Sequence, residues 1–104
     1  MDRGVEKLNG TNYHNWKFNV RMLLTGKDLW EIVEGTETVS EEASDAELKK
    51  FRKRENWALS IICLSVSTNL QIYVRNAKTP KDAWKCLADH FEEKSLSLLH
   101  DLAQ

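Results

Sequence analysis

The sequence predicts an all-α protein, a compact bundle of about five to six short-to-medium helices. Apolar residues recur at helical spacing along most of the 104 residues. Helix-start patterns precede several of these segments. No long β-type alternation competes, although the run from Ile61 to Leu64, taken alone, would also suit a buried strand. One proline and four glycines leave no long linker, so residues 1–104 are expected to form a single helical domain.

The first helix is predicted from about residue 13 to 25, after a turn at Gly10 and before Gly26. Thr11 or Asn12 is expected to cap it. One face carries the apolar residues Tyr13, Trp16, Val20, Leu23 and Leu24. Phe18 and Met22 point to the opposite side at about 100° per residue. Two interpretations stay open: both sides are buried in the bundle, or Phe18 and Met22 form an interface with another copy or a peptide.

A second short helix is predicted from Lys27 to Val33, ended by Gly35. Between residues 31 and 47 the chain carries seven acidic residues and no Lys or Arg. They are Glu31, Glu34, Glu37, Glu41, Glu42, Asp45 and Glu47. Such a run is typical of a solvated connection whose last acids favour the start of the next helix.

A long helix is predicted from Ser44 or Asp45 to about Val66, with the Ser-x-x-Glu pattern of a capping box at its start. One face carries Leu48, Phe51, Ala58, Leu59, Ile62 and Val66. In the second half Trp57, Ile61 and Leu64 line the opposite face, which predicts that this half lies at the centre of the bundle.

The pattern of residues 65–76 predicts a break followed by a short helix. A further helix is predicted to begin at Thr79 and Pro80. Ser95 is expected to cap a last helix that contains Leu96, Leu98, Leu99 and Leu102. No stop pattern precedes Gln104, so we expect the last helix to be truncated and the protein to continue. The aromatic residues expected in the core are Tyr13, Trp16, Trp30, Trp57, Trp84 and Phe91.

Residues with catalytic or metal-binding chemistry are sparse. The candidate ligands for zinc are His14, Cys63, Cys86, His90 and His100, and only Cys86 and His90 have a ligand-like spacing. There is no glycine-rich phosphate loop and no arguable acid/base pair. We therefore expect no metal, no cofactor and no enzymatic activity.

Charge and hydropathy constrain the partners. The net charge is −1, and no apolar run reaches the roughly 20 residues of a membrane span. Two cysteines without a secretion signal suggest reduced thiols and a cytoplasmic protein. The basic run comprises Lys49, Lys50, Arg52, Lys53 and Arg54. It is either an RNA contact or the solvated side of its helix, partly neutralised by the preceding acids.

Ordered motifs run through nearly the whole chain. They are Leu8-Asn9-Gly10-Thr11-Asn12-Tyr13, Trp16, Leu23-Leu24, Leu29-Trp30, Val33-Glu34-Gly35, Ala83-Trp84 and Phe91-Glu92-Glu93-Lys94-Ser95. With them the sequence resembles the N-terminal capsid-like region of the Gag polyprotein of Copia-type LTR retrotransposons. The resemblance implies a helical capsid lobe that forms homo-oligomers and virus-like particles. It also implies no enzymatic activity, and RNA binding mostly by segments this sequence lacks. The alternative is a lobe retained by a host as a peptide-binding adaptor; RNA binding is a third possibility.

Overall fold

The computed structural model describes the backbone of residues 5–103 and the side chains of residues 5–92. Its elements are α1 (Tyr13–Gly26), α2 (Trp30–Glu34), α3 (Asp45–Leu64), a 3-10 helix (Thr68–Tyr73) and α4 (Pro80–Ala103). Within the described residues the one extended pairing is an isolated bridge between Leu8 and Val66. The prediction of an all-α bundle is confirmed.

The turn before α1 is built differently from the prediction. Gly10 has a φ of +95°, a left-handed conformation that favours glycine. Asn12 precedes the helix, yet its Oδ1 accepts a hydrogen bond from the Asn9 amide at 3.0 Å instead of capping α1. The Thr11 hydroxyl donates to Asn9 Oδ1 at 2.8 Å. Asn12 is thus the N-cap residue by position, as predicted, but its side chain caps no helix amide, because both the Asn12 and the Thr11 side chains stabilise the turn itself.

The boundaries of α2 and α3 follow local backbone chemistry. Asp28 has a φ of +63°, which excludes it from a right-handed helix and delays the start of α2 to Trp30. Gly35, at a φ of +92°, ends α2 as predicted. At the start of α3 the Ser44 hydroxyl accepts from the Glu47 amide at 3.2 Å and donates to the Glu47 carboxylate at 3.1 Å. This arrangement joins the two residues of the predicted capping box.

The last two predicted helices are one. Helix α4 begins after Thr79, whose hydroxyl accepts from the Asp82 amide at 3.1 Å, and it runs without a break to Ala103. Ser95 lies inside it, so no new helix begins there, because residues 81–95 contain neither glycine nor proline to stop the helix. The side chains of Leu96, Leu98, Leu99, His100 and Leu102 lie outside the described residues.

Trp16 is the centre of the core. It is 1% exposed, its indole ring stacks on Trp84 at 5.4 Å, and its Nε1 donates to the Ser65 carbonyl at 2.9 Å. The same carbonyl accepts from the Leu8 amide at 2.9 Å, and the Leu8 carbonyl accepts from the Ser67 amide. These bonds fasten the segment before α1 to the end of α3.

Helix α4, and not the second half of α3, is the central element. It packs against α1, α2, α3 and the 3-10 helix. Tyr13, Trp16 and Phe91 are buried, and Trp30 and Trp84 are partly buried against them. Trp57 is 49% exposed and Leu64 is 55% exposed, so the prediction that both lie in the core is wrong. Ile61 is 7% exposed, because it lies three residues after the buried Ala58, at the edge between this face and the packed side of α3.

Candidate interaction surfaces

Helix α1 presents Phe18 and Met22 to solvent. Its buried residues Tyr13, Val20 and Leu24 face the core and thereby set the orientation of the helix. Phe18 is 62% exposed and Met22 is 44% exposed, four residues apart on the opposite side. The interpretation that both sides of α1 are buried within this bundle is therefore wrong. A role in an interface stays a prediction.

A second surface lies on α3. Its exposed side carries Lys49, Lys53, Trp57, Ser60 and Leu64, which recur every three or four residues, and we call these five residues the outer face of α3. The Lys27 ammonium lies 5.2 Å from the centre of the Trp57 ring. Three members of this face, Lys49, Lys53 and Ser60, are polar. Their recurrence at helical spacing is the signal from which the sequence could have indicated that this face is exposed to solvent.

A shallow groove of about 320 Å³ lies between the α2–α3 connection, α3 and the start of α4. Its apolar lining comes from Ile32, Val39, Phe51 and Pro80. The Lys81 side chain packs so closely on Gly35 that a Cβ there would lie 2.9 Å from its Nζ. The left-handed φ of +92° at this position favours glycine, whereas the flexible end of the exposed Lys81 side chain can move aside to make room for a Cβ.

Arg54 ties the acidic connection to the bundle. Its Nη2 donates to Glu37 Oε1 at 3.0 Å, Nη1 donates to the second carboxylate oxygen, and Nη2 also donates to the Asp28 carbonyl. The hydrogen bonds from Arg54 to the Glu37 carboxylate lower the pKa of Glu37 below its ordinary value. The prediction that the whole acidic connection is solvated is therefore wrong at Glu37, which is paired with Arg54. Of the five predicted RNA contacts, Arg54 is occupied by Glu37, whereas Lys49, Lys50, Arg52 and Lys53 are exposed.

The Glu37–Arg54 pair leads to a pH prediction. Because folding lowers the pKa of Glu37, its contribution to stability is complete above the ordinary glutamate pKa of about 4.3 and is lost as the pH falls through the lower folded value. We expect Glu37→Gln to lower the free energy of unfolding at pH 7 by about 0.5–1 kcal/mol, since the pair is partly exposed. Urea denaturation across pH 3–7 should show this difference shrink as the pH falls below the ordinary glutamate pKa and vanish only below the lower folded value. Glu42→Gln, at an exposed position, serves as the control; an equal loss in both variants would contradict the assignment.

Tyr13, Lys17 and Glu92 link α1 to α4. The Tyr13 hydroxyl donates to Glu92 Oε2 at 2.8 Å, and Lys17 Nζ donates to the same oxygen at 2.9 Å. Lys17 and then Tyr13 lower the pKa of Glu92, whereas burial and the bond to Glu92 raise the pKa of Tyr13. Sequence reasoning missed this link, because Tyr13 and Lys17 precede Glu92 by 79 and 75 positions, and local spacing carries no information over such separations.

The candidate metal ligands with described side chains do not come together in one group, and two of the histidines contact aromatic rings instead. His90 stacks on Tyr73 with 3.9 Å between ring centres, and Cys86 is exposed beside it. His14 contacts the Tyr13 ring edge-on, and burial raises the pKa of the half-buried Cys63 thiol. Across the part of the chain with described side chains, no three His, Cys, Asp or Glu residues form a metal-type group.

Comparison with known proteins identifies the family to which this chain belongs. A family model described as the gag-polypeptide of LTR copia-type matches residues 20–100, from within α1 through most of α4. Searches of curated proteins and of solved structures returned no match. Of the helices in the described region, none is both long and apolar enough to cross a bilayer. The matched stretch covers most of the sequence, and the chain therefore belongs to the gag-polypeptide family of copia-type LTR retrotransposons.

Proposed function

We propose that this chain is a structural self-assembly module of a copia-type Gag, whose copies associate into a capsid-like shell. The observation that carries the proposal is the exposure of Phe18 and Met22 on a helix whose other side is fully packed. Gag polypeptides form a family of structural proteins, and apolar side chains left in water favour association. Residues 1–104 would act as one cytoplasmic lobe without catalytic activity.

Small surfaces suit this task. Two apolar side chains bury far less area than the roughly 1,600 Å² of a stable pairwise interface. In a shell every copy repeats the same contacts with several neighbours, so contacts that are weak singly sum to a stable assembly. Weak contacts also dissociate readily, which allows misplaced copies to be released during growth of the shell.

The test is assembly as a function of concentration. We expect light scattering of the purified chain to show mass increasing with concentration, and electron microscopy to show oligomers or particles. The double variant Phe18→Ser with Met22→Ser should raise the concentration for half-assembly at least tenfold. It removes two apolar side chains that become buried on assembly, and this loss exceeds the roughly 1.4 kcal/mol that corresponds to a tenfold change in the association constant.

The matched control is Lys85→Ser with Asp89→Ser, two exposed residues of α4 with the same spacing of four, whose joint replacement leaves the net charge unchanged. This variant should assemble like the unchanged chain. Circular dichroism checks that all three proteins remain helical. A chain that stays strictly monomeric at millimolar concentration contradicts the proposal.

The groove beside α2 favours a second candidate function, a peptide-binding adaptor. Its lining by Val39, Phe51 and Pro80 suits one apolar side chain of an extended or helical segment. A peptide-library screen with the isolated chain should then return binders that Val39→Lys abolishes. A screen without binders would dismiss this candidate.

A further inference from the structure

The outer face of α3 changes character along the helix. Lys49 and Lys53 stand at one end, and Trp57 and Leu64 stand at the other, all exposed. The Lys27 ammonium lies against the Trp57 ring of this face, and about half of the Trp57 and Leu64 surfaces stays exposed. A face that offers both cations and a large aromatic surface is suited to a partner that carries carboxylates and apolar groups.

The same chain carries such a segment. Glu41, Glu42 and Asp45 are exposed in the turn that leads into α3. Asp45 lies four residues before Lys49, the spacing and order that favour an ion pair on a helix. Yet the structure forms no ion pair between these acids and Lys49 or Lys53, as far as its side chains are described. Both charge sets therefore remain available to a second molecule.

We infer that the outer face of α3 docks the acidic segment of residues 41–45 from a second copy of this chain. The inference rests on the proposed self-association and names a charged surface for it. Lys49 and Lys53 contact the acids of the second copy and set the alignment, while Trp57 and Leu64 supply apolar area that becomes buried.

A second copy fits this face better than a nucleic acid does. The acids of residues 41–47 lie directly beside the basic residues, so a phosphate backbone that follows the helix would meet them and be repelled. The net charge of −1 adds no attraction for a polyanion. Between two copies, by contrast, the adjoining acidic and basic surfaces are mutually complementary, because each copy offers both.

Charge reversal in two complementary variants tests the contact. The first variant carries Lys49→Glu and Lys53→Glu, and the second carries Glu41→Lys and Glu42→Lys. Asp45 is left in place because it lies in the first turn of α3, where a negative charge favours the helix. Each variant alone should require at least tenfold more protein than the unchanged chain to assemble. An equimolar mixture should recover assembly, because opposite charges then face each other again.

The control reverses two exposed basic residues elsewhere, Arg75→Glu with Lys78→Glu, and changes the net charge by the same amount as the first variant. It should assemble like the unchanged chain. Raising the salt concentration should weaken assembly of the unchanged chain and of the mixture alike, since the contacts are solvent-accessible ion pairs.

The outcomes separate this inference from the proposed function. An unchanged chain that never assembles overturns both. Normal assembly of the reversed variants, or a mixture that does no better than its parts, overturns the inference and leaves self-association standing. If Lys49→Glu with Lys53→Glu abolishes binding of single-stranded oligouridylate but leaves assembly intact, the face is a nucleic-acid site and the inference is wrong.

Discussion

Replacing Trp16 by alanine is expected to lower the free energy of unfolding by about 3–5 kcal/mol. The indole is enclosed between Tyr13 and Trp84, and its Nε1 donates to the Ser65 carbonyl. The substitution leaves a cavity in a close-packed core and removes one of the two hydrogen bonds that this carbonyl accepts. Because domains of this size are stable by only about 5–15 kcal/mol, this loss is a large share of the total, and the denaturation midpoint of the variant should fall clearly.

The matched control is Trp57→Ala, the same substitution at a ring that is half exposed. It removes the buried half of one ring and one cation–π contact with Lys27, so a smaller loss of about 1–2 kcal/mol is expected. Guanidinium denaturation followed by circular dichroism measures both variants. Equal losses at the two tryptophans would contradict the positions assigned to them.

Replacing Leu8 by alanine should cost about 2–4 kcal/mol, although Leu8 lies outside every helix. Its side chain is fully buried, and its backbone exchanges hydrogen bonds with Ser65 and Ser67. The alanine variant keeps those backbone bonds but loses the apolar contacts that hold the segment on the core. The residue also precedes the family match at residues 20–100, so the core of this chain extends beyond the matched stretch.

Lys7→Ala provides the control for Leu8, because the neighbouring side chain is exposed and the backbone is unchanged. Thermal unfolding by calorimetry should place the control near the unchanged chain and the Leu8 variant well below it. Hydrogen exchange of the Ser67 amide, which bonds to the Leu8 carbonyl, should accelerate in the Leu8 variant alone. Unaltered protection there would show that the segment is held by something other than this side chain.

Local patterns were sufficient wherever chemistry and structure lie close in the chain. The Ser44–Glu47 box, the left-handed Gly35 and the Thr79–Pro80 start each act within one helical turn, so the sequence indicated them correctly. The apolar spacing of α1 likewise indicated which side of that helix is buried, because the period of an α-helix is constant.

Patterns failed where a choice depended on distant neighbours. Trp57 and Leu64 have the composition of core residues, yet they are exposed because α4 occupies the central position and leaves this side of α3 uncovered. Ser95 has the chemistry of a cap, yet it continues a helix that contains no breaker. Arg54 belongs to a basic run, yet it is engaged by Glu37 across the α2–α3 connection.

The sequence by itself determined the all-α class, most helix boundaries and the buried side of α1, since these depend on interactions between residues a few positions apart. Only the tertiary structure decided which helix is central, which apolar residues remain exposed, and how Leu8, Tyr13 and Arg54 find their partners. Those features depend on how separate helices pack, and periodicity within one helix carries no information on which neighbour covers a given face.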